Sequence, residues 1–423
     1  MNRAVAQFVM WASIASSIPF ILLGIWLYRF QIFGFTFSAL LTMLMTLILG
    51  VGLAFLSIQA GSLAHLKRIV SHLPKLLTVG FAALLAWLAL SWMNVFFVSD
   101  LSARALQPVI MGTLTFFGLV FFFVVNITGE MHRWVLALSG LVGALIIIIG
   151  QAITGGIEFL YPPLTQFLLV PLALLLFFGA RYLPSLLAAP IILHAILLTG
   201  ARMPTAVAIL LIGLGAFLLP SLKKWTRFAL ISVSTGVVFG HFLSRGFVRE
   251  RWFGRGDGQI VLPIPSVTSP TSSTGEEASI VINSSGRVRV WQHLLESITP
   301  QTLVTGNGSG LSGQAAQDFT GGVISNSLNE YLRLLVDFGP TVFAFWLIAL
   351  GCFFVFGLTK AKYDRSQAFL LLGLILTLGI MSFTDIPMLL LGLMLPFVIV
   401  AGQSLRCLRV AAANKIAPPA QAD

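Results

Sequence analysis

Apolar runs of about twenty residues recur along this chain, separated by short polar breaks, and one long polar interruption divides the ninth run from the tenth. Runs of this length cross the ~30 Å hydrocarbon core of a bilayer as helices, because lipid offers no partner to a free backbone amide. The pattern predicts twelve spans, at 8–28, 34–58, 77–98, 106–127, 134–153, 164–180, 183–200, 204–221, 226–244, 339–358, 367–384 and 386–404. Spans six to eight are crowded, and Pro163, Pro171, Pro184, Pro190 and Pro204 fall at their limits or inside them. The expected fold is an all-α polytopic membrane protein with one large loop that contains short helices. It divides into nine spans over 1–244, a loop domain over 245–338, three spans over 339–404 and a tail over 405–423.

The polar interruption runs from Arg245 to about Ser327 and has parts of its own. Arg245 to Gly258 is basic, and Pro263 to Gly275 is a Ser/Thr/Pro-rich stretch that reads as a flexible excursion. Val288, Trp291, Leu294, Leu295 and Ile298 recur at helical spacing. Asn307-Gly308-Ser309-Gly310 reads as a turn. Asn326 to Phe338 predicts a second short helix, with Leu328, Tyr331, Leu332 and Leu335 on one face. Both helices are expected to lie at the membrane interface.

Composition agrees with this class. The 423 residues are 57% hydrophobic and 9% charged, against about 25% charged in soluble domains, which excludes a soluble globule. The net charge of +11 is what basic cytoplasmic loops produce and does not indicate nucleic acid. With the N-terminus cytoplasmic, fifteen basic residues fall inside: Arg3, Lys67, Arg68, Lys75, Arg133, Arg181, Lys223, Lys224, Arg227, Lys360, Lys362, Arg365, Arg406, Arg409 and Lys415. The short outer connections hold three, Arg29, Arg104 and Arg202. This bias places the long loop outside the cytoplasm. Cys352 and Cys407 both lie outside the loop, so no disulfide framework is indicated. The first apolar run has no small-residue cleavage site and reads as a retained helix.

Three arginines are the candidates for chemistry. Arg202 sits in the break between spans seven and eight, a depth at which a charge is costly unless solvated or paired; the competing reading is a snorkelling helix-end anchor. Arg287 and Arg289 precede Trp291. Guanidinium forks bind phosphate oxygens bidentately and stay charged at any relevant pH, although interfacial arginines also meet lipid headgroups. The fourteen acidic residues form no cluster of hard oxygen ligands, and none of the six histidines has a metal-ligand spacing, so no metal site is expected. Nor does any P-loop appear. His293 lies one turn from Arg289 and is a candidate base.

These residues resemble the bacterial O-antigen ligase and polymerase superfamily in overall topology and in three local stretches. Thr199-Gly200-Ala201-Arg202 resembles its Ser-Arg-Gly element. Gly286-Arg287-Val288-Arg289-Val290-Trp291, followed by Gly306-Asn307-Gly308, resembles its Arg-x-x-x-Trp and Gly-x-Gly stretch. Asn329-Glu330-Tyr331-Leu332-Arg333-Leu334-Leu335-Val336-Asp337-Phe338-Gly339 resembles the element that begins His-Asn. That register puts Leu328 where the family carries its histidine, the group that takes the acceptor's proton in the ligases. Leucine takes no proton. Either another group is the base, with Glu330, Asp337 and His293 as candidates, or the acceptor is activated differently, or the chain is a catalytically disabled homologue.

The resemblance implies a GT-C-like, inverting, metal-independent glycosyltransferase of the bacterial inner membrane. Both termini would be cytoplasmic and the loop periplasmic. The donor would be an undecaprenyl-diphosphate-linked glycan and the acceptor a hydroxyl of lipid A–core. Arg202 and Arg287 would hold the diphosphate, with Arg289, Trp291, Asn329, Glu330 and Tyr331 in the substrate site. No soluble cofactor is implied. The alternatives are an O-antigen or exopolysaccharide polymerase, an oligosaccharyltransferase acting on protein, a transporter of the same lipid-linked glycan, and a purely structural membrane subunit.

Overall fold

A computed structural model describes residues 3–23, 31–32, 35–59, 73–99, 102–125, 130–154, 162–178, 183–219, 222–244, 259–263, 279–283, 287–300, 302–321, 327, 329–383 and 385–416. Leu328, the position matched to the family's histidine, lies outside the described residues, as does the excursion over 264–278.

The apolar runs fold as helices. They are α1 (Arg3–Leu23), α2 (Phe37–Gln59), α3 (Lys75–Phe97), α4 (Ala103–Val124) and α5 (Met131–Thr154). Then come α6 (Pro162–Phe167), α7 (Leu169–Ala173), α8 (Leu183–Leu198), α9 (Arg202–Leu218) and α10 (Lys224–Ser244). Among the described residues, eight helices are long and apolar enough to cross a membrane, and four apolar helices are shorter. The sixth run is broken into α6, α7 and a π turn over Leu174–Phe178. Pro171 explains the break: its ring collides with the carbonyl four residues earlier, and the helix interrupts at Leu168.

The polar interruption holds more regular structure than its composition suggests. Strand β3 (Gln259–Pro263) pairs antiparallel with β4 (Ser279–Asn283), Gln259 opposite Asn283 and Pro263 opposite Ser279. A smaller ladder joins β1 (Gln31–Ile32) to β2 (Phe35–Thr36). After β4 come α11 (Arg287–Glu296), α12 (Thr302–Thr305) and α13 (Leu311–Phe319), then α14 (Glu330–Lys360), α15 (Arg365–Met381), a 3-10 turn over Pro387–Leu389 and α16 (Leu391–Ile416). Helix α16 continues well into the segment read from sequence as the tail, and Arg406 bonds the Val124 carbonyl from it.

Two cores result. The large one joins the apolar helices, with α14 laid along α3, α16 along α4, and α15 between α14 and α16. The small one is Val290, Leu294, Ala316, Leu332 and Val336, which binds α11 and α13 to the start of α14. The first turns of α14 touch both cores, Leu332 and Val336 the small one and Leu334 and Phe338 the large one, and the helix then changes direction at Gly339, where φ is 82° and ψ is 170°. That backbone conformation suits glycine, and Pro340 follows it. Beyond Gly339 the helix packs in the large core.

Arg133, counted from sequence among the basic residues between spans four and five, opens α5. It is buried, donates to Gln403 Oε1 at 3.2 Å and lies over the Phe178 ring, while His132 bonds the same Gln403 oxygen at 2.7 Å.

Candidate functional site

Helix α11 presents two adjacent apolar stripes, and they do different things. Val290 and Leu294 are buried in the small core, whereas Trp291 packs against its edge and, with Leu295, also lines a second surface. The expected single stripe of Val288, Trp291, Leu294, Leu295 and Ile298 is thus divided between two surfaces. The second surface is one wall of an open groove of about 530 Å³. Its other wall is α14, with Tyr331, Leu335, Phe343 and Leu347, and Phe383 lies at its side. Leu347 and Phe383 are exposed, so the groove opens beside a membrane-crossing helix.

Three of the residues read from sequence as substrate-binding line this groove: Trp291, Asn329 and Tyr331. Each is fixed by one hydrogen bond. Trp291 Nε1 donates to the Ser327 carbonyl at 3.0 Å, and Tyr331 Oη donates to the Gly379 carbonyl at 2.6 Å. Asn329 caps α14 by accepting the Leu332 N–H at 3.0 Å, the standard way to satisfy an orphan amide at a helix start.

Glu330 is placed differently from the expectation. Its side chain is wholly buried and paired with Arg333, and it does not line the groove. Arg333 reaches on toward Asp337 at 3.8 Å, so residues 330, 333 and 337 form one charged stripe on the buried side of α14. Asp337 in turn holds the Gly-rich stretch. Its two carboxylate oxygens accept the Gly310 N–H at 3.1 Å and the Ser312 N–H at 2.8 Å, and its carbonyl accepts the Gly308 N–H at 3.0 Å. From α3, Asn94 donates to the Thr305 carbonyl at 2.7 Å and accepts the Ser309 N–H at 3.0 Å.

This network decides what the Gly-x-Gly stretch does. A run of glycine amides with positive φ is a ready anion nest when its N–H groups point outward. Here φ is positive at Gly306, Gly308 and Gly310, yet the amides of residues 307, 308, 309, 310 and 312 are all spent on protein acceptors. Gly306 approaches α14 so closely that an added Cβ would stand 2.3 Å from the Asp337 carbonyl oxygen. The stretch is a clasp between α3 and α14, and any anion at this face falls to side chains.

The arginines supply those side chains. Arg287 opens α11, half-buried, and its charge favours the ionised form of the Asp385 carboxyl. Arg289 is exposed on the same helix. Arg202 opens α9, half-buried, and α9 packs along α7, the short helix that follows Gln166. His293, the candidate base on α11, stacks on Phe319 with ring centroids 4.5 Å apart.

Two groups escaped the sequence reading. Asp385, in the turn after α15, accepts from the fully buried Gln166 and from the Ile386 N–H at 3.1 Å. Burial pushes its carboxyl above the usual carboxylate range, against the Ile386 N–H, Arg287 and Gln166, which favour the charged form. The carbonyls of Ser382 and Asp385 both accept the Glu330 N–H, at 2.8 and 3.0 Å, which locks the turn to the start of α14. Gln166 and Asp385 are 219 residues apart, so no local spacing reveals them. The second miss is a histidine pair joining α8 to α10, with His194 Nδ1 and His241 Nε2 2.9 Å apart. Among the described residues no group of three His, Cys, Asp or Glu side chains gathers to hold a metal ion.

The chain matches no protein-family model and no curated protein.

Proposed function

We propose that this protein is a membrane glycosyltransferase of the O-antigen ligase type, moving a glycan from undecaprenyl diphosphate to a hydroxyl of lipid A–core without a metal ion. The observation that carries the reading is the apolar groove between α11 and α14, with Arg287 on the same helix that forms its wall. An isoprenoid diphosphate needs that combination: a greasy channel open to lipid, and a guanidinium where the diphosphate emerges.

In this reading the four shorter apolar helices complete twelve crossings, and the segment from 245 to 338 is periplasmic, as the distribution of basic residues supports. The lipid tail gains little free energy from the groove, because a bilayer is as apolar as leucine. The groove orients the donor, and affinity comes from the arginines, at about 1.5–3 kcal/mol for each charged hydrogen bond. As the glycosidic bond breaks, negative charge gathers on the leaving diphosphate. Arg287 and Arg202 stabilise that charge, and loss of one such donor typically costs about 10²–10³ in kcat.

The test is transfer by purified protein of a lipid-linked glycan to lipid A–core. Arg202→Ala and Arg287→Ala should each abolish transfer while the protein keeps its elution profile and melting temperature. Retained activity in both variants refutes the arginine clamp.

A further inference from the structure

With leucine at position 328, the reaction needs a proton acceptor that the family pattern does not provide. We propose that Asp385 is that group, taking the proton from the acceptor hydroxyl as it attacks the donor; this rests on the glycosyltransferase reading above.

Elimination and geometry both lead to it. Glu330 and Asp337 are wholly buried and bound to Arg333, and Asp337 also holds two backbone amides. Neither reaches a substrate. His293 stacks on Phe319 and is not among the residues that line the groove. Asp385 is mostly buried but, unlike Glu330 and Asp337, keeps some exposure. Its two oxygens offer about four lone-pair directions, and the Gln166 amide and the Ile386 N–H occupy one on each oxygen. The carboxylate is thus held in place and still has acceptor capacity for a hydroxyl.

Its location suits the task. The Asp385 carbonyl bonds the Glu330 amide, two residues beyond position 328, so the turn carrying Asp385 is tied to the place where the family's histidine stands. The charged groups that face it are Arg287 from α11 and Glu330 from α14, and α6 contributes the neutral Gln166. In an inverting transfer the base acts on the side of the anomeric carbon opposite the leaving diphosphate, so Asp385 and Arg287 would stand on either side of the reacting sugar. The raised proton affinity that burial gives Asp385 also brings its pKa closer to the working pH, which favours general-base catalysis.

The step balances. The acceptor O–H bond breaks and its proton goes to Asp385. The acceptor oxygen forms a bond to the anomeric carbon, and the bond from that carbon to the diphosphate oxygen breaks. The electron pair leaves with undecaprenyl diphosphate, and Asp385 then releases the proton to water.

The experiment uses full-length protein in lipid nanodiscs, with undecaprenyl-diphosphate-linked glycan as donor and lipid A–core as acceptor. Binding of radiolabelled undecaprenyl diphosphate is measured in parallel. Asp385→Asn keeps the shape and, through its one oxygen, the bond from Gln166 at the expense of the Ile386 N–H, and should lower kcat by about 10²–10⁴-fold with binding unchanged. The wild type should lose kcat/KM as pH falls through the Asp385 pKa, and that acid limb should vanish from the residual activity of Asp385→Asn. Asp385→Glu should restore both rate and limb. Wild-type kcat in Asp385→Asn, or a loss of rate matched by loss of binding and not rescued by glutamate, overturns the assignment. Failure of the wild type itself to bind undecaprenyl diphosphate overturns the donor reading, and the assignment with it.

Discussion

Asp337→Asn tests whether the charged stripe of α14 is structural. Asp337 uses both carboxylate oxygens on backbone amides, Oδ2 for Gly310 and Oδ1 for Ser312, and Oδ2 also faces Arg333. Asparagine has one acceptor oxygen and one amino group, so one of the two N–H donors would meet another donor. A buried amide left unpaired costs about 1–3 kcal/mol. Removing one partner of a buried ion pair costs about 3–5 kcal/mol. The two losses share atoms and do not simply add, so the larger sets the scale. At 1.4 kcal/mol per tenfold change, the clasp should open about 10²- to a few-thousand-fold more often. Hydrogen exchange of the peptide covering Gly306–Ser312, measured in nanodiscs by mass spectrometry, reads that opening directly. Exchange should accelerate there and stay unchanged in the buried middle of α3. Unaltered protection of the Gly-rich stretch would refute the clasp and return Asp337 to the list of candidate bases.

Two further outcomes follow from the same geometry. On the proposed arginine clamp transfer should survive EDTA, since guanidinium groups would do the work of a cation, and a loss that Mg²⁺ restores would refute this. Leu328→His should leave kcat close to that of the wild type if Asp385 already takes the proton; a gain of about 10²-fold or more, the scale of general-base catalysis, would place the base at position 328 instead.

The helical framework was legible because it depends on run length alone. Each apolar run contains a helix, and the misreadings have local causes. The break at Leu168 comes from Pro171, whose presence the run length does not register. The two strands at Gln259–Pro263 and Ser279–Asn283 are short β-branched stretches whose pairing depends on partners 16 to 24 residues away. In α11 the apolar arc was visible, but its division between a core and a groove was not. Val290 and Trp291 are neighbours in sequence, and only the packing of α13 and α14 decides which of them is buried.

The site was legible in part for the same reason. Arg287, Trp291, Asn329 and Tyr331 lie in two short segments with helical spacing, and the fold brings those segments to one groove. Glu330, Arg333 and Asp337 were equally readable as an i, i+3, i+7 ion-pair stripe, but scarcity of acids drew attention to metal ligation and away from pairing. Asn94, Gln166 and Asp385 carried no local signal at all. Burying an ionised or polar side chain is expensive unless it is paired, and this chain has only fourteen acidic residues to place. Three of them, Glu330, Asp337 and Asp385, converge on one end of α14. Arg333 pairs with Glu330, and Asp337 is held by the Gly310 and Ser312 amides with Arg333 at 3.8 Å, which accounts for their burial. Asp385 has no such internal partner on its own element; it meets Arg287, a residue on the face where the lipid-linked donor would arrive. That difference separates the two structural carboxylates from the one proposed to take the proton.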